Sequence, residues 1–359
     1  MKNKTLIQMT CVAAALFLTT ALLTFGHTAA TEMSQPYARG RLRVMEWNVE
    51  NLFDTVHDVG KRDEEFLPGS PRRWTSHRYW KKLTDVAKVI ATVAADGGGM
   101  VDLVGLCEVE NDSVMAMLTR RSALRELGYE YIMTESEDER GIDVALLYQP
   151  MRFRLLEYKG VRVASREHGL RATRDLLYVK GLVFTETGLD TLHVIVAHLP
   201  SQAGGVEGDR NRALAAQRLW ELVDSIAGSG AATESQHTGQ RDEYMGRRIL
   251  VMGDFNAGAK DKVFRNTCLR ITDDSEDAGT YCFRGYWQWI DHVLVSDGIE
   301  TLGAAKVVRL PWLLEENKTY GGQMPRRTFR GPTYHGGVSD HLPIVVEMRM
   351  KRGEKRSEK

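Results

Sequence analysis

The segment ILVMGDFNA, residues 249–257, brings an apolar run directly up against polar side chains. Its first four residues are typical of a strand that is buried on both faces. Gly253 ends the run, and Asp254 and Asn256 follow at once. Because side chains alternate between the two faces of a strand, positions 254 and 256 are predicted to point the same way at one edge of a sheet. Both could then reach the same ligand.

The same arrangement recurs along the chain, where strand-like apolar runs meet short polar clusters. Helical spacing of apolar residues predicts helices near 76–95, 112–127 and 209–227, between some of these runs. The pattern indicates a single α/β layered domain with its chemistry gathered at one end of the strands. The clusters are Asn48 with Glu50, Glu108, His198, Asp254 with Asn256, Asp291 with His292, and Asp340 with His341.

The composition is that of a globular protein with no overall charge. The chain has 359 residues, 43% of them hydrophobic, and 48 basic residues balance 48 acidic ones. A balanced charge provides no long-range attraction for nucleic acid or anionic lipid. A polyanionic substrate would therefore have to be held by local charge or by a metal ion.

The N-terminal region is predicted to lie outside the fold. MKNK supplies a positive start, residues 5–25 form an apolar stretch, and Thr28 and Ala30 suit a cleavage before Thr31. Residues 1–30 are therefore interpreted as a signal peptide, and the protein as exported to the periplasm or secreted. An uncleaved membrane anchor is the alternative, since the stretch is close to the length of a short membrane span. Residues 31–40 are read as a lead-in, 41–350 as the domain, and 351–359 as a charged tail.

The residue types in the polar clusters suit phosphate chemistry. A single Asp or Asn after a strand is usually a turn residue or a helix cap, but six clusters of costly polar groups need a joint explanation. Carboxylate and amide oxygens are ligands for Mg²⁺ or Mn²⁺, and His supplies proton transfer or donors to a phosphoryl oxygen. No HExxH, P-loop or GxGxxG pattern is present. Metal-assisted attack on a phosphate ester fits best.

An ordered set of motifs resembles the endonuclease/exonuclease/phosphatase superfamily, which has the deoxyribonuclease I-like fold. The motifs are WNVENLF, LCEVEN, RGIDVALLY, VAHLPS, GDFNA, WIDHVLVS and SDHLPI, in that order, and the resemblance extends from about Arg41 to Met350. The resemblance implies a four-layer α/β/β/α sandwich of two packed, mixed and mainly antiparallel sheets. It also implies a phosphoesterase site that depends on a divalent metal, Mg²⁺ or alternatively Mn²⁺, at one edge of the sheets.

The resemblance assigns a metal site and its surroundings. Asn48 and Glu108 match the family's metal-site Asn and Glu, with Glu108 as the principal ligand, and Asp340 of the SDH motif is placed beside them. Glu50 stands where other members carry an Asp near the metal, so its role is supporting, and its longer side chain leaves coordination open. Asp143 is a further supporting residue, expected to orient His198.

The remaining matches are catalytic. His198 resembles a phosphate-contacting His. Asp254 and Asn256 match the pair in which the Asp positions or deprotonates the attacking water and the Asn holds the phosphate. Asp291 is expected to orient His341, which would bind the scissile phosphate and act as general acid or base. Whether Asp254 or His341 is the base stays open.

The substrate is predicted to be a phosphodiester, with nucleic acid favoured, and no protein partner is indicated. PRRWTSHRYWKK (71–82) and PRRTFRG (325–331) interleave cations with aromatic residues, as phosphate contact and base stacking require. Arg171 and Arg174 are candidate phosphate contacts. In the alternative reading of 71–82, its Trp and Tyr face the core and its basic groups are solvated.

Two other functions stay open. A lipid or sugar-phosphate phosphoesterase of the same fold could use LPWLL (310–314) as a membrane-touching loop, although such a run is more often part of a core. A binding protein that keeps the fold without catalysis is the third reading, and occupied motifs weigh against it.

Overall fold

The computed structural model describes residues 40–96, 99–163, 172–186, 188–202, 205–228, 247–274 and 276–351. The predicted signal peptide (1–30), Arg171 and nearly all of the lead-in and tail lie outside the described residues.

Three α-helices and nineteen strands form the described part of the chain. The helices are α1 (Ser76–Ala95), α2 (Asp112–Arg121) and α3 (Gly205–Ala227), and short 3-10 helices lie at Glu64–Phe66, Ala123–Leu127, Lys262–Phe264 and Pro311–Leu313. The strands are β1 (Arg41–Leu52), β2 (Leu103–Val109), β3 (Glu130–Met133), β4 (Asp143–Tyr148), β5 (Phe153–Val161), β6 (Leu176–Thr185), β7 (Gly188–His198), β8 (Ile249–Asp254), β9 (Arg270–Ile271), β10 (Tyr281–Phe283), β11 (Tyr286–Gln288), β12 (Asp291–Val295), β13 (Ile299–Thr301), β14 (Lys306–Val307), β15 (Leu314–Glu316), β16 (Gln323–Pro325), β17 (Phe329–Arg330), β18 (Thr333–Tyr334) and β19 (Ile344–Met350).

Most of the strands form two mixed sheets. The first has the order β13-β19-β1-β2-β4-β3, with β14 also paired to β19, and the second has the order β5-β6-β7-β8-β12-β9. In each sheet one described pair is parallel, β1 with β2 and β7 with β8, and the other pairs are antiparallel. A parallel pair needs a crossover, which helices usually supply. Here α1 lies in the β1–β2 connection and α3 in the β7–β8 connection.

Three apolar clusters separate four layers. One fills the space between the sheets, with residues such as Val44 and Leu103 from the first and Val194 and Met252 from the second. A second cluster joins α1 and α2 to the outer face of the first sheet, and a third joins α3 to the outer face of the second. The predicted α/β/β/α sandwich of two mainly antiparallel sheets is confirmed.

The helices follow the predicted spacing, with one difference. The helix predicted over 112–127 ends as an α-helix at Arg121 and continues as a 3-10 helix over Ala123–Leu127. Ser122 causes the break, because its side chain accepts a hydrogen bond from Leu124 N and so caps the new turn. None of the described helices combines the length and the apolar character that crossing a membrane requires.

The LPWLL segment is part of the core. Leu313 is buried, and Leu310, Trp312 and Leu314 pack against the cluster beneath α1. The reading of this run as a membrane-touching loop is therefore not supported.

Candidate active site

Strand direction brings the polar clusters together. The parallel pairs β1–β2 and β7–β8 run toward one edge of the sandwich, and the antiparallel strands β12 and β19 begin there. At this edge lies a cavity of about 480 Å³. Of the predicted residues it is lined by Asn48, Glu50, Glu108, Arg174, His198, Asp254, Asn256, Asp340 and His341.

Asp254 and Asn256 reach the cavity through a turn. Asp254 is the last residue of β8, and Asn256 lies beyond the strand with φ 49°. Asp254 Oδ1 accepts a hydrogen bond from Asn256 N at 2.8 Å, and Asn256 Nδ2 donates to Leu199 O at 3.0 Å. The expectation that strand alternation aligns the two side chains is wrong, although both do line one cavity.

The backbone around the cavity has an unusual conformation. Of the six non-glycine residues with positive φ in the described part of the chain, four line this cavity: Glu50, Asn51, Glu108 and Asn256. Such conformations cost free energy and concentrate where function requires a particular side-chain position.

His341 is held by Asp291, as predicted. The two Asp291 carboxylate oxygens lie 2.8 and 3.0 Å from His341 Nδ1, so Nδ1–H donates to Asp291 and Nε2 faces the cavity. Asp291, which is buried behind the ring, also accepts a hydrogen bond from Thr280 Oγ1. Burial by itself would lower the pKa of His341, but the charges of Asp291 and Asp254 outweigh it and raise the pKa well above its usual value. The ring is therefore an imidazolium at neutral pH.

Asp254 lies between the two histidines. Its Oδ2 accepts a hydrogen bond from Asn48 Nδ2 at 3.0 Å and is 3.5 Å from His198 Nε2 and 3.9 Å from His341 Nε2. Burial and then the charge of Asp291 raise the pKa of Asp254 to about 7, against the opposing effect of His341. A carboxyl group with a pKa near neutrality is suited to general-base work.

Glu108 and Asn48 present oxygen atoms that fit a divalent metal. Glu108 Oε2 accepts a hydrogen bond from Asn51 N at 2.9 Å, whereas Oε1 lies 3.7 Å from Arg140 Nη2 and 3.9 Å from His198 Nε2, beyond hydrogen-bond length. Asn48 Oδ1 accepts from Glu50 N at 2.9 Å, and a carbonyl oxygen has a second lone pair. Hard oxygen donors with unused lone pairs are what Mg²⁺ prefers.

A second group of potential ligands is less suitable for a metal. Asp254, Asp291 and His341 each offer an atom, all within 4.8 Å of one another. Asp291 already accepts hydrogen bonds from His341 Nδ1–H and Thr280 Oγ1, and Asp254 accepts from Asn48 Nδ2 and Asn256 N, so the carboxylate lone pairs of this group are largely in use. The donor set therefore favours Glu108 and Asn48 for the metal.

Glu50 and Asp340 line the cavity and belong to an ion-pair network centred on Arg327. Glu50 accepts from Arg327 Nε at 3.1 Å and from Thr328 N at 2.7 Å, and Arg327 Nη2 donates to Asp340 Oδ2 at 2.7 Å. The buried Lys82 donates to the Glu50 carbonyl oxygen and to Thr328 Oγ1. Arg327 thus pairs with both carboxylates, and the second oxygen of Asp340, Oδ1, lies 4.0 Å from His341 Nε2. The placement of Asp340 among the metal ligands stays a prediction.

Asp143 does not orient His198. Its carboxylate accepts hydrogen bonds from Thr134 Oγ1 and Ser136 N, next to its own strand. His198 is instead buried, and its Nε2 lies 3.5 Å from Asp254 Oδ2 and 3.9 Å from Glu108 Oε1. Its Nδ1 has no hydrogen-bond partner among the described residues. Burial and then the charges of Arg174 and Arg140 lower the pKa of His198 well below its usual value, which makes the ring neutral.

The basic residues that the sequence singled out are distributed unequally. Arg171 lies outside the described residues. Arg174 lines the cavity, where its guanidinium donates to Leu199 O at 3.1 Å and to Asp138 Oδ2 at 3.3 Å. Arg140, which the sequence analysis missed although it lies in the quoted RGIDVALLY motif, also lines the cavity, with 50% of its side chain exposed.

The two basic and aromatic segments pack against each other. Trp74 is fully buried and its ring lies 5.8 Å from that of Phe329, which is also buried. Tyr79 is buried as well, so the alternative reading of 71–82, with its aromatic residues in the core, is correct for these rings. Lys82, expected at the surface, is buried beneath Glu50. These rings are therefore not available to stack on bases.

Two other residues of the site have no signal in the local sequence. Glu46 is buried below the cavity with Oε2 unpartnered among the described residues, and burial and then the charges of Asp291 and Asp254 raise its pKa well above the usual value. Tyr281 lines the cavity, with its ring 4.9 Å from that of His341. Both are distant in sequence from the residues they adjoin, and only the tertiary structure reveals them.

The sandwich and its polar edge are those of a phosphoesterase, and comparison with known proteins gives the family. Residues 43–350 match the model of the Endonuclease/Exonuclease/phosphatase family. The chain belongs to this family, whose members are phosphoester hydrolases that typically depend on a divalent metal.

Solved structures share the fold at low sequence identity. An endonuclease/exonuclease/phosphatase family protein from Bacteroides thetaiotaomicron is 15% identical with a TM-score of 0.55, covering 88% of this chain and 97% of its own. The mannosyl-6-phosphatase of the same organism is 15% identical with a TM-score of 0.54, covering 86% and 99%. The human nocturnin catalytic domain, solved with a bound sulfate anion, is 17% identical with a TM-score of 0.52, covering 87% and 94%. No curated protein is significantly similar in sequence.

Proposed function

We propose that the protein is an exported phosphodiesterase that depends on a divalent metal and acts as a nuclease. The observation that carries the proposal is the meeting of Asp254, His341, Glu108 and Asn48 at one cavity. A hydrolase of phosphate esters needs a base for water, a cation for the phosphoryl oxygens and a site for a metal. These four residues supply all three.

Glu108 and Asn48 would hold the metal, Mg²⁺ or Mn²⁺, which when bound neutralises phosphate charge and steadies the leaving oxygen. In the proposed reaction, a water oxygen attacks phosphorus in line with the bond to the leaving oxygen. Asp254 accepts the proton of that water, the new P–O bond forms, and the bond to the leaving oxygen breaks. The leaving oxygen is protonated from solvent or from His341.

His341 has a separate part in this scheme. Because Nδ1 donates to Asp291, only Nε2–H is directed at the cavity. As an imidazolium it stabilises the negative charge that develops on the phosphoryl oxygens. This assignment favours Asp254 over His341 as the base. His198, Asn256 and Arg174 line the same cavity and would position the phosphate.

The test is metal-dependent hydrolysis by the protein without residues 1–30. Bis-p-nitrophenyl phosphate, plasmid DNA, RNA, sphingomyelin and mannose 6-phosphate would be compared with Mg²⁺ and with EDTA. We expect diester cleavage and DNA or RNA cleavage, all abolished by EDTA. Mannose 6-phosphate belongs in the panel because one structural neighbour is a mannosyl-6-phosphatase.

Substitutions distinguish this site from a contaminating activity. His341→Ala and Asp254→Ala should each lower kcat at least about 100-fold, as the loss of a general base or a charge-stabilising donor does. His77→Ala is the control, since His77 is an exposed residue of α1. Turnover by either site variant at the level of the His77→Ala protein would refute the assignment, and activity on sphingomyelin alone would replace the nuclease proposal.

Export rests on the positive start, apolar stretch and small residues of 1–30. N-terminal sequencing of protein recovered outside the cytoplasm should begin at Thr31. Recovery of the uncleaved chain in the membrane fraction would support the anchor instead.

A further inference from the structure

A β-hairpin beside the cavity presents aromatic side chains on one face. Strands β10 and β11 are joined by Arg284 and Gly285, both with positive φ (51° and 85°), as a two-residue type I′ turn requires. In this hairpin Tyr281 is opposite Gln288, and Phe283 is opposite Tyr286. Directly opposed residues share a face of a sheet. Tyr281, Phe283, Tyr286 and Gln288 therefore lie on the same face, and we call the three rings the aromatic strip.

The aromatic strip leads out of the candidate active site. Tyr281, Phe283 and Gln288 line the cavity, and the Tyr281 ring contacts that of His341. Phe283 is 49% exposed and Tyr286 is 77% exposed. The strip thus runs from a ring in contact with the proposed catalytic His, through a ring at the rim, to a ring in solvent.

The other face of the hairpin holds it against the fold. Trp287 packs against the cluster beneath α1, and the Arg309 guanidinium lies 4.5 Å from its ring centroid. The hairpin is therefore anchored to the core through Trp287, and the rings of Phe283 and Tyr286 on the other face are left exposed. Large exposed rings that continue a cavity mark a surface for a ligand.

From this geometry we infer that the aromatic strip stacks the bases of a single-stranded nucleic acid on one side of the scissile phosphate, an inference that rests on the proposed function. Aromatic side chains stack on unpaired bases, whereas the bases of a duplex are already stacked on each other. Successive rings at 281 and 283 project from one face about 7 Å apart.

Positively charged side chains lie around the aromatic strip, where they could contact the phosphates of a nucleic-acid strand. The Arg284 guanidinium lies 5.1 Å from the Phe283 ring centroid at the tip of the hairpin. Arg140 and Arg174 line the same cavity as the strip. An aromatic surface combined with cations that follow a backbone is the arrangement by which proteins hold single strands. In the segments 71–82 and 325–331, which were predicted for this purpose, the Trp74, Tyr79 and Phe329 rings are buried, and Trp80, which is 41% exposed, does not line this cavity.

The experiment measures how tightly the protein binds two labelled single strands of 12 nucleotides, one of oligo-dT and one in which every nucleotide is abasic. The abasic strand has the same sugar-phosphate chain without bases, so it separates stacking from phosphate contact. Fluorescence anisotropy in EDTA excludes turnover. Phe283→Ala and Tyr286→Ala should each raise the Kd for oligo-dT about 5- to 150-fold, the range for one lost base stack, and change the Kd for the abasic strand by less than about 2-fold.

Phe184→Ala is the matched control. Phe184 is 50% exposed, close to the value for Phe283, but it lies on β6 near the start of β7, at the opposite end of that sheet from His198. It should leave both Kd values unchanged, and Phe283→Trp should keep tight binding to oligo-dT. Urea unfolding of each variant shows that the fold is retained, which is expected for exposed side chains.

Several results would overturn the inference. They are equal binding of oligo-dT and the abasic strand by the unsubstituted protein, no binding of either, or equal weakening of both strands in Phe283→Ala. Binding of mannose 6-phosphate that Phe283→Ala abolishes, with oligo-dT unaffected, would assign the strip to a sugar. Because binding is measured without turnover, inactivity toward bis-p-nitrophenyl phosphate would refute the proposed function separately.

Discussion

Replacing Gly253 with Ala tests how the strand that carries Asp254 is built. Gly253 has φ 150°, and a Cβ at this position would lie 1.8 Å from the backbone oxygen of Ala197 on the neighbouring strand β7. Cβ contacts shorter than 3.0 Å are essentially never found. The two strands would therefore have to separate by about 1.2 Å, the difference between 3.0 and 1.8 Å.

The cost can be worked out from that separation. The Leu199 N–H donates to Asp254 O at 2.9 Å beside this point, and an added 1.2 Å would take it beyond hydrogen-bond length. A buried backbone group left unpaired costs about 1–3 kcal/mol, and the left-handed conformation adds about 1–2 kcal/mol for a residue with a Cβ. The free energy of unfolding should fall by about 2–5 kcal/mol, a large part of the roughly 5–15 kcal/mol typical of a domain.

Gly303→Ala provides the matched comparison. Gly303 has φ 148°, and a Cβ there would meet nothing within 4 Å. Gly303→Ala should lower the free energy of unfolding only by the cost of the left-handed conformation, about 1–2 kcal/mol. Urea unfolding followed by circular dichroism would give both values. If Gly253→Ala is no less stable than Gly303→Ala, the close approach of β7 and β8 is not what requires glycine at this position.

Two further predictions concern titration. Asp291→Asn should lower kcat and shift the alkaline limb of the pH–rate profile to lower pH. The reason is that without the Asp291 charge, burial lowers the pKa of His341. An unshifted limb would show that His341 does not act as an imidazolium. Burial and then the charge of Arg247 lower the pKa of His193 to about 4 in the folded protein. In the unfolded chain the same group binds its proton near pH 6.5. The part of the free energy of unfolding that neutral His193 contributes is therefore fully present above pH 6.5 and should be lost as the pH falls toward 4. Urea midpoints at pH 7 and 5 should differ less for His193→Gln than for the unsubstituted protein, and equal differences would contradict the assignment.

Much of the fold could be predicted because it depends on local patterns. Apolar runs gave β1, β2, β7 and β8, and helical spacing gave α1 and α3. The break of the predicted helix at Ser122 was missed, because a single side chain capping a new turn overrides the periodicity around it.

The candidate site was predictable only as a set of residues. The ordered motifs placed Glu108, Asp254 and His341 together, and the structure brings them to one cavity. The partners were less accessible to sequence reasoning. Asp143 lies in a motif next to the site and yet bonds to Thr134, since the direction of a side chain depends on contacts that no local pattern contains.

The sequence by itself determined which strands are buried, where helices lie and which polar residues end the strands, because those features follow from spacing along one segment. The tertiary structure decided which of these residues meet. Packing between segments distant in the chain buries Lys82 and Trp74, and the tertiary structure places the exposed ring of Phe283 at the cavity. The physical reason is that burial and ion pairing are properties of surfaces brought together by folding, and a residue's neighbours in space are set by strand order and register, which no short stretch of sequence specifies.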